Sequence, residues 1–370
     1  MSSPPTTPFS RIRSRIEHPV VQAPMAGGAS RPELAAAVGE AGGLGFLAAG
    51  YKSPEAMRGE IRRLRTLTDR PFGVNLFMPH TVGAGPRAAV AAYRERLAGE
   101  FARYGAEPGG HGDDGDDDAY GAKLEILLEE PVPLVSFTFG CPSRRVLEDL
   151  AEAGTATVVT VTSVAEARAA EEAGADALCV QGVEAGGHRG THRDDPASDP
   201  APDGAGLGLL ALLGRVREAV TLPLIAAGGL MRGGQIAAVL AAGAVAAQFG
   251  TAFLPCPESG AHELHKRALT DPAFPRTELT RAFSGRPARA LVNRFSAEHG
   301  PHAPAAYPRV HHLTAPLRRA AAEAGDPQAM ALWAGQGHRL ARALPAAELV
   351  GVLAGELAAA RDALTGRRAA

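Results

Sequence analysis

Eight short apolar runs recur along the first 250 residues with helical stretches between them, and this alternation constrains the fold more than any other feature. The runs are Val20–Ala23, Gly45–Ala48, Phe72–Phe77, Leu134–Phe139, Thr157–Val161, Ala177–Gln181, Leu224–Ala227 and Ala246–Phe249. Helical stretches follow most of them, at Pro32–Ala41, Pro54–Leu67, Arg144–Ala153, Val164–Ala173, Leu207–Ala219 and Gly234–Ala242. Apolar strands that alternate with helices imply parallel pairing under a helical cover. Gly42, Gly154, Gly174 and Gly243 each stand one residue past an alanine-rich run, where a helix stops on a left-handed residue. Eight such units favour a closed barrel over an open doubly wound sheet. The expected fold class is α/β: a (β/α)8 TIM barrel with a smaller, mostly helical cap segment.

Two segments break the rhythm. Residues 84–130 separate the third and fourth runs by far more than a crossover needs, and their middle, Gly109–Asp118, is acidic and glycine-rich. A calcium loop needs a closing Glu at its twelfth position, but counting from Asp113 that position is Leu124. The stretch therefore reads as a solvated loop with too little apolar surface to order itself. Residues 255–325 are rich in Pro, His and Arg, show no strand pattern, and read as an irregular helical cap over one end of the barrel. The expected organisation is a barrel over 12–254 with an insertion at about 84–130, a cap over 255–325 that contributes to the substrate pocket, and helices over 326–366 that pack back on the barrel.

Charge is nearly balanced, with 38 basic against 40 acidic residues, so there is no basic footprint for nucleic acid. Three widely spaced cysteines suit a reducing compartment. Met1–Ser10 lacks the apolar core of a secretory signal, and no apolar run reaches the roughly 18 residues a membrane span needs. A cytoplasmic monomer or homodimer with no nucleic-acid or membrane partner is expected. His299, His302, His311 and His312 lack matching cysteines or clustered carboxylates, so no metal site is expected.

The densest functional signal is Cys179-Val-Gln-Gly-Val-Glu-Ala-Gly-Gly-His-Arg-Gly190. Gln181 places an amide at the C-terminal end of the sixth run, and Gly182, Gly186 and Gly187 permit close backbone approach to a ligand. His188 follows, an imidazole whose ordinary range allows either charge state near pH 7. Barrel sites sit at the C-terminal strand ends, and more candidates fall there. They are Ala23 and Met25 after the first run, Asn75 in the third, Gly228 and Gly229 after the seventh, and Gln248, Phe249, Gly250 and Thr251 at the eighth. The loops after the last two strands are the usual phosphate position. A phosphate cradle, strand-end amides and a glycine-flanked histidine together suit a phosphorylated heterocycle, and FMN fits best. Cys179 reads as inert strand packing, and the stretch around Tyr307, His311 and His312 as a surface loop in preference to one that sets an aromatic or imidazole group, such as Tyr307, over the cofactor.

Several pieces occur in an order that points to one family: Ala23-Pro-Met-Ala-Gly27, Ala41-Gly-Gly-Leu-Gly45, Gly73-Val-Asn75, Gln181 to Arg189, Ala227-Gly-Gly229 and Gln248-Phe-Gly-Thr251. On these residues the chain resembles the nitronate monooxygenases, the FMN-dependent group formerly called 2-nitropropane dioxygenases. Ser284-Gly-Arg-Pro-Ala-Arg289 and Trp333-Ala-Gly-Gln-Gly337 resemble family segments less specifically. The resemblance implies FMN contacts at Asn75, Gln181, Gly186, Gly229 and Gln248 through Thr251, with His188 as the active-site base. It implies oxidation of alkyl nitronates, and of nitroalkanes if they react, by O2 to a carbonyl compound and nitrite. The alternative on the same barrel is an FMN-dependent NAD(P)H reductase acting on a quinone or an enoyl thioester. The His188 loop and the lack of a second nucleotide fingerprint favour the oxygenase.

Overall fold

The computed structural model describes residues 8–79, 86–110, 116–194 and 206–366. The centre of the acidic stretch, the ends of the 84–130 insertion's first loop, and most of the Met1–Ser10 segment lie outside the described residues. Numbered along the chain, the first six strands are β1 (Val20–Gln22), β2 (Gly45–Ala48), β3 (Phe72–Phe77), β4 (Leu134–Thr138), β5 (Ala156–Val161) and β6 (Ala177–Gln181). A two-residue strand β7 (Gly187–His188) precedes β8 (Leu224–Ala227) and β9 (Ala246–Phe249). All but β7 form one parallel sheet in the order β1-β9-β8-β6-β5-β4-β3-β2. A bridge between Val21 and Leu44 brings its two ends together, with Gln22 N–H donating to Leu44 O at 2.9 Å. The eight-stranded (β/α)8 barrel expected from the sequence is therefore present.

Its outer ring comprises α2 (Pro32–Glu40), α3 (Pro54–Leu67), α6 (Tyr120–Glu129), α7 (Arg144–Glu152), α8 (Val164–Ala173), α9 (Leu209–Ala219) and α10 (Gly233–Ala241). Local chemistry sets their ends. Ser53, Ser143 and Ser163 accept the N–H groups of Ala56, Val146 and Glu166 as N-caps. The four expected stop glycines all take positive φ, between 80° at Gly42 and 103° at Gly174. A short α1 (Pro8–Arg13) carries Phe9 and Ile12 into a cluster with Val21, Leu44 and Phe46. The long α14 (Ala346–Thr365) packs back against α10 and α2. No helix among the described residues is long and apolar enough to cross a membrane.

A second core lies under the cap. The remaining helices are α4 (Pro86–Arg96) and α5 (Ala98–Tyr104), then α11 (Glu263–Ala268), α12 (Arg294–His299) and α13 (Arg309–Glu323). Val90, Tyr93, Leu97 and Phe101 of α4–α5 bury against Phe283, Phe295, Val310, Leu313 and Leu317. The first two helices of the insertion thus share the cap's core, while α6 packs on α3 and β3. Residues 255–325 also hold two strands that the reading as an irregular helical cap missed: β10 (Thr277–Thr280) and β11 (Ala288–Leu291). They form an antiparallel sheet in the order β10-β11-β7, with Ala288 opposite His188. Neither strand carries an apolar run, so pairing rather than intrinsic pattern stabilises them, and such pairing has no local signature. The sheet ties the cap to the glycine-rich loop that carries His188.

Candidate active site

Above the C-terminal strand ends lies one cavity of about 550 Å³. It is lined by Ala23, Met25, Asn75, Gln181, Gly186, Gly187, His188, Gly228, Gly229, Gln248, Gly250 and Thr251, which is every expected site residue but one. The exception is Phe249. Successive strand residues face opposite sides, so with Gln248 turned inward Phe249 points into the layer between sheet and helices, where it is fully buried. Cys179, expected as plain packing, faces the cavity floor and accepts a hydrogen bond from Gln248 Nε2 at 3.4 Å. Burial pushes its thiol up to about 12, which keeps it protonated.

The strand-end amides are fixed with complementary groups left over. Asn75 Nδ2 donates to Ser136 Oγ at 2.9 Å and to Thr138 Oγ1 at 3.0 Å, which leaves its Oδ1 as the group to offer a ligand. Gln181 is set the other way round. Its Oε1 accepts from Arg189 Nη1 and Gly190 N–H, and Nε2 gives one proton to His188 O at 3.1 Å and retains another. Across the mouth, the N–H groups of Gly228, Gly229 and Gly250 have no acceptor among the described residues. Gly229 has φ +67°, and a Cβ there would stand 2.9 Å from Glu184 Cβ; at Gly186 a Cβ would stand 2.5 Å from Gly335 N. Both positions need glycine. Free N–H donors on such a turn make an anion cradle.

His188 projects from β7 with Nε2 at 2.9 Å from Ser284 Oγ. Ser284 Oγ also accepts from Arg286 N–H at 3.3 Å and donates to Arg286 O at 3.2 Å. Burial, with Arg286 and Arg318 nearby, drives the imidazole down to about 3. The sequence reading allowed either charge state; in this setting His188 is neutral at pH 7, because two fixed cations and loss of solvent both oppose a third charge.

Aromatic side chains wall this end. Phe139, Tyr307 and Trp333 approach the imidazole with ring centroids at 5.8, 5.7 and 5.3 Å. Arg286 is completely buried, with its guanidinium 4.0 Å from the Phe139 ring centroid. Tyr307 also reaches Tyr51, whose ring stacks on His311 at 4.0 Å. The stretch read as a surface loop is thus helix α13 and its approach, with His311 lining the cavity and Tyr307 against His188. Its packing face was hidden by polar residues: Leu313 and Leu317 carry the burial, while His311, Ala315 and Arg318 face the cavity.

The acidic stretch reaches the same wall. Asp118 Oδ1 accepts from Tyr51 N–H at 2.8 Å, and Oδ2 pairs at 2.7 Å with the buried Lys123, which also donates to Ala49 O. Asp116 pairs with His312 on α13 at 2.5 Å. Around His299 the structure gathers two carboxylates that the sequence spacing did not reveal, Glu100 and Glu298. Arg294 already bridges both carboxylates, at 2.5 and 3.0 Å, and supplies the cation that such a cluster calls for. Sequence reasoning missed Tyr51, Phe77, Phe139, Ser284, Arg286, Arg318 and Trp333. Only Ser284, Arg286 and Trp333 carried a signal, through the two weaker family-like segments.

Comparison with known proteins agrees with this geometry. The family model described as nitronate monooxygenase matches residues 10–356. The chain is 44% identical to a nitronate monooxygenase of Pseudomonas aeruginosa over 361 residues, covering 95% of this chain and 99% of that one. It is 43% identical to one of Paraburkholderia phytofirmans over 348 residues, covering 92% and 93%. A solved nitroalkane oxidase from Streptomyces ansochromogenes superposes with TM-score 0.92 at 65% identity, covering 95% of this chain and 99% of that one. FabK from Thermotoga maritima superposes with TM-score 0.73 at 28% identity, covering 98% and 99%. With the family match running from α1 into α14, through every segment that builds the cavity, the chain is an enzyme that belongs to the nitronate monooxygenase family.

Proposed function

We propose that this enzyme uses FMN to oxidise alkyl nitronates with O2, giving a carbonyl compound and nitrite. Family membership implies a flavin. The observation that carries the finer reading is one cavity holding a glycine-built anion cradle, strand-end amides of opposite polarity and His188. The cradle at Gly228, Gly229 and Gly250 suits a single phosphate. The Asn75 oxygen suits a ring N–H, and the spare Gln181 proton suits a ring carbonyl or nitrogen. Met25 and Ala23 offer a floor for a flat ring.

Bound there, the flavin would supply the redox chemistry, taking electrons from the substrate and passing them to O2. The chain's own residues do the rest. Phe77, Phe139 and Trp333 keep the reacting end dry. Ser284 spends its single proton on Arg286 O and so receives Nε2–H from His188, leaving the imidazole lone pair on Nδ1. That neutral nitrogen is the base for the α-proton of a nitroalkane. Burial, with two neighbouring arginines, makes it a weak base, which favours the already ionised nitronate as substrate.

Mass analysis of the released cofactor should give FMN, and Gly229→Asp should remove it, because a carboxylate would crowd and repel the phosphate. A second reading, an NAD(P)H-dependent reductase, draws on the likeness to FabK. Anaerobic mixing separates the two. Rapid flavin bleaching by a nitronate but not by NADH supports the oxygenase, and the reverse pattern supports the reductase.

A further inference from the structure

The residues lining the cavity include two arginines, Arg318 and Arg319, and neither Asp nor Glu. Arg318 projects from α13 and is tethered through one edge. Nε donates to Thr314 Oγ1 at 3.2 Å, and Nη2 contacts His311 O at 3.1 Å and Nδ1 at 3.3 Å. Nη1 has no acceptor among the described residues, and no carboxylate there pairs with this guanidinium. Although burial pulls it down to about 10, it stays charged at neutral pH. A half-buried cation facing a cavity without a counter-ion there is suited to a ligand that brings the opposite charge.

Its place in the ring matters. Arg318 holds His311, His311 stacks on Tyr51 beyond β2, and Tyr51 meets Phe77 at the end of β3. In the closed eight-strand order, β3 stands four strands from β8, whose end carries Gly228 and Gly229. Arg318 is therefore across the mouth from the phosphate cradle. That end of the cavity is the side where Phe139, Tyr307 and His188 cluster.

We propose that Arg318 recognises the substrate's charge: its free Nη1 donates to the nitronate oxygens, so the cavity selects the ionised nitronate over the neutral nitroalkane. This rests on the nitronate chemistry proposed above. A hydrogen bond from a charged N–H donor to an oxygen sharing one negative charge is roughly twice as strong as a neutral one, and a neutral nitro group gains much less from it.

The test uses flavin-loaded wild type, Arg318→Met and Arg318→Lys, with two readouts. The first is KM and kcat on preformed propyl-2-nitronate against neutral 2-nitropropane. Arg318→Met should raise KM for the nitronate at least about tenfold, the usual worth of a charge-assisted hydrogen bond, with the nitronate kcat and the nitroalkane KM each within about threefold. Arg318→Lys should restore most of the nitronate affinity. The second readout is the dissociation constant of nitrate, an unreactive planar oxyanion, read from the flavin's visible spectrum. It should weaken at least about tenfold in Arg318→Met and recover in Arg318→Lys. Merely loosening His311 would raise both KM values together, and the lysine variant would not rescue them. Equal effects on charged and neutral substrates, or unchanged nitrate affinity, would overturn the inference. If wild type oxidises no nitronate yet binds nitrate through Arg318, the proposed reaction fails while the anion site stands.

Discussion

His188 is held neutral by its surroundings, and that makes its removal informative. His188→Ala or His188→Asn should retain the flavin while losing about 10²–10⁴-fold in turnover, the usual cost of a missing general base. The loss should be larger with a neutral nitroalkane than with a preformed nitronate, which needs no deprotonation; steady-state rates on both substrates decide it. Ser284→Ala should leave flavin content unchanged and lower turnover by roughly fivefold, because one hydrogen bond of about 1 kcal/mol no longer selects the tautomer. A pH–rate profile identical to wild type would release Ser284 from that role. The ligand-facing residues were legible because strand ends and glycines mark them. The aromatic wall was not: Phe77, Phe139 and Tyr51 look like core residues, and only tertiary contact with His188 and α13 gives them a task. Phe249 was misplaced for the converse reason, since a segment likeness ignores the two-residue alternation that turns it away.

At the scale of elements, the segment between β3 and β4 departs most from its composition. An acidic, glycine-rich run reads as replaceable solvent-facing chain, yet its two described ends are anchored. Gly109 N–H donates to Leu313 O on α13, and Asp118 fixes both Tyr51 and Lys123. These anchors pair residues far apart in sequence, so no local pattern announces them. Replacing the whole Gly109–Asp118 stretch should therefore damage the site. Asp118→Ala strands the Lys123 ammonium, whose side chain is 1% exposed, and breaking a buried pair from one side costs about 3–5 kcal/mol. Urea unfolding should show that loss, and Asp118→Ala combined with Lys123→Met should recover most of it. If the double variant is no more stable than the single one, Asp118 acts through Tyr51 alone. The strand β11 was missed for a related reason, since one of its two partners is the distant His188 loop, and β10 has only β11 to pair with.

Taken whole, the barrel was readable because its eight units repeat one local rule, an apolar strand then a capped helix, and closure follows from the count. The cap was not, because α4–α5 and α12–α13 meet in a core assembled from segments about 200 residues apart. Joining two cores over one cavity buries several histidines, and this sets the molecule's response to acid. His188 is driven down to about 3, His265 to about 4, and His311 well below its ordinary 6.5, chiefly by desolvation. In the unfolded chain each protonates near 6.5, so as pH falls the unfolded state takes up protons that the folded state refuses. The stability they confer is complete above about pH 7. It declines from about pH 6.5 down to the folded values, by up to about 1.4 kcal/mol per pH unit for each histidine. Glu100, held below its ordinary range by the Arg294 ion pair, adds a further loss only below about pH 4.5. Unfolding midpoints in urea at pH 7, 6 and 5, with free flavin held constant, should fall steadily across that window. His265 is the clean probe, because its Nε2–H donates to Trp333 O. His265→Gln should lower stability at pH 7 yet flatten the pH dependence by one proton. A slope unchanged by that substitution would mean that His265 protonates in the folded state, and that acid sensitivity belongs to the other groups, His188 and His311 among them.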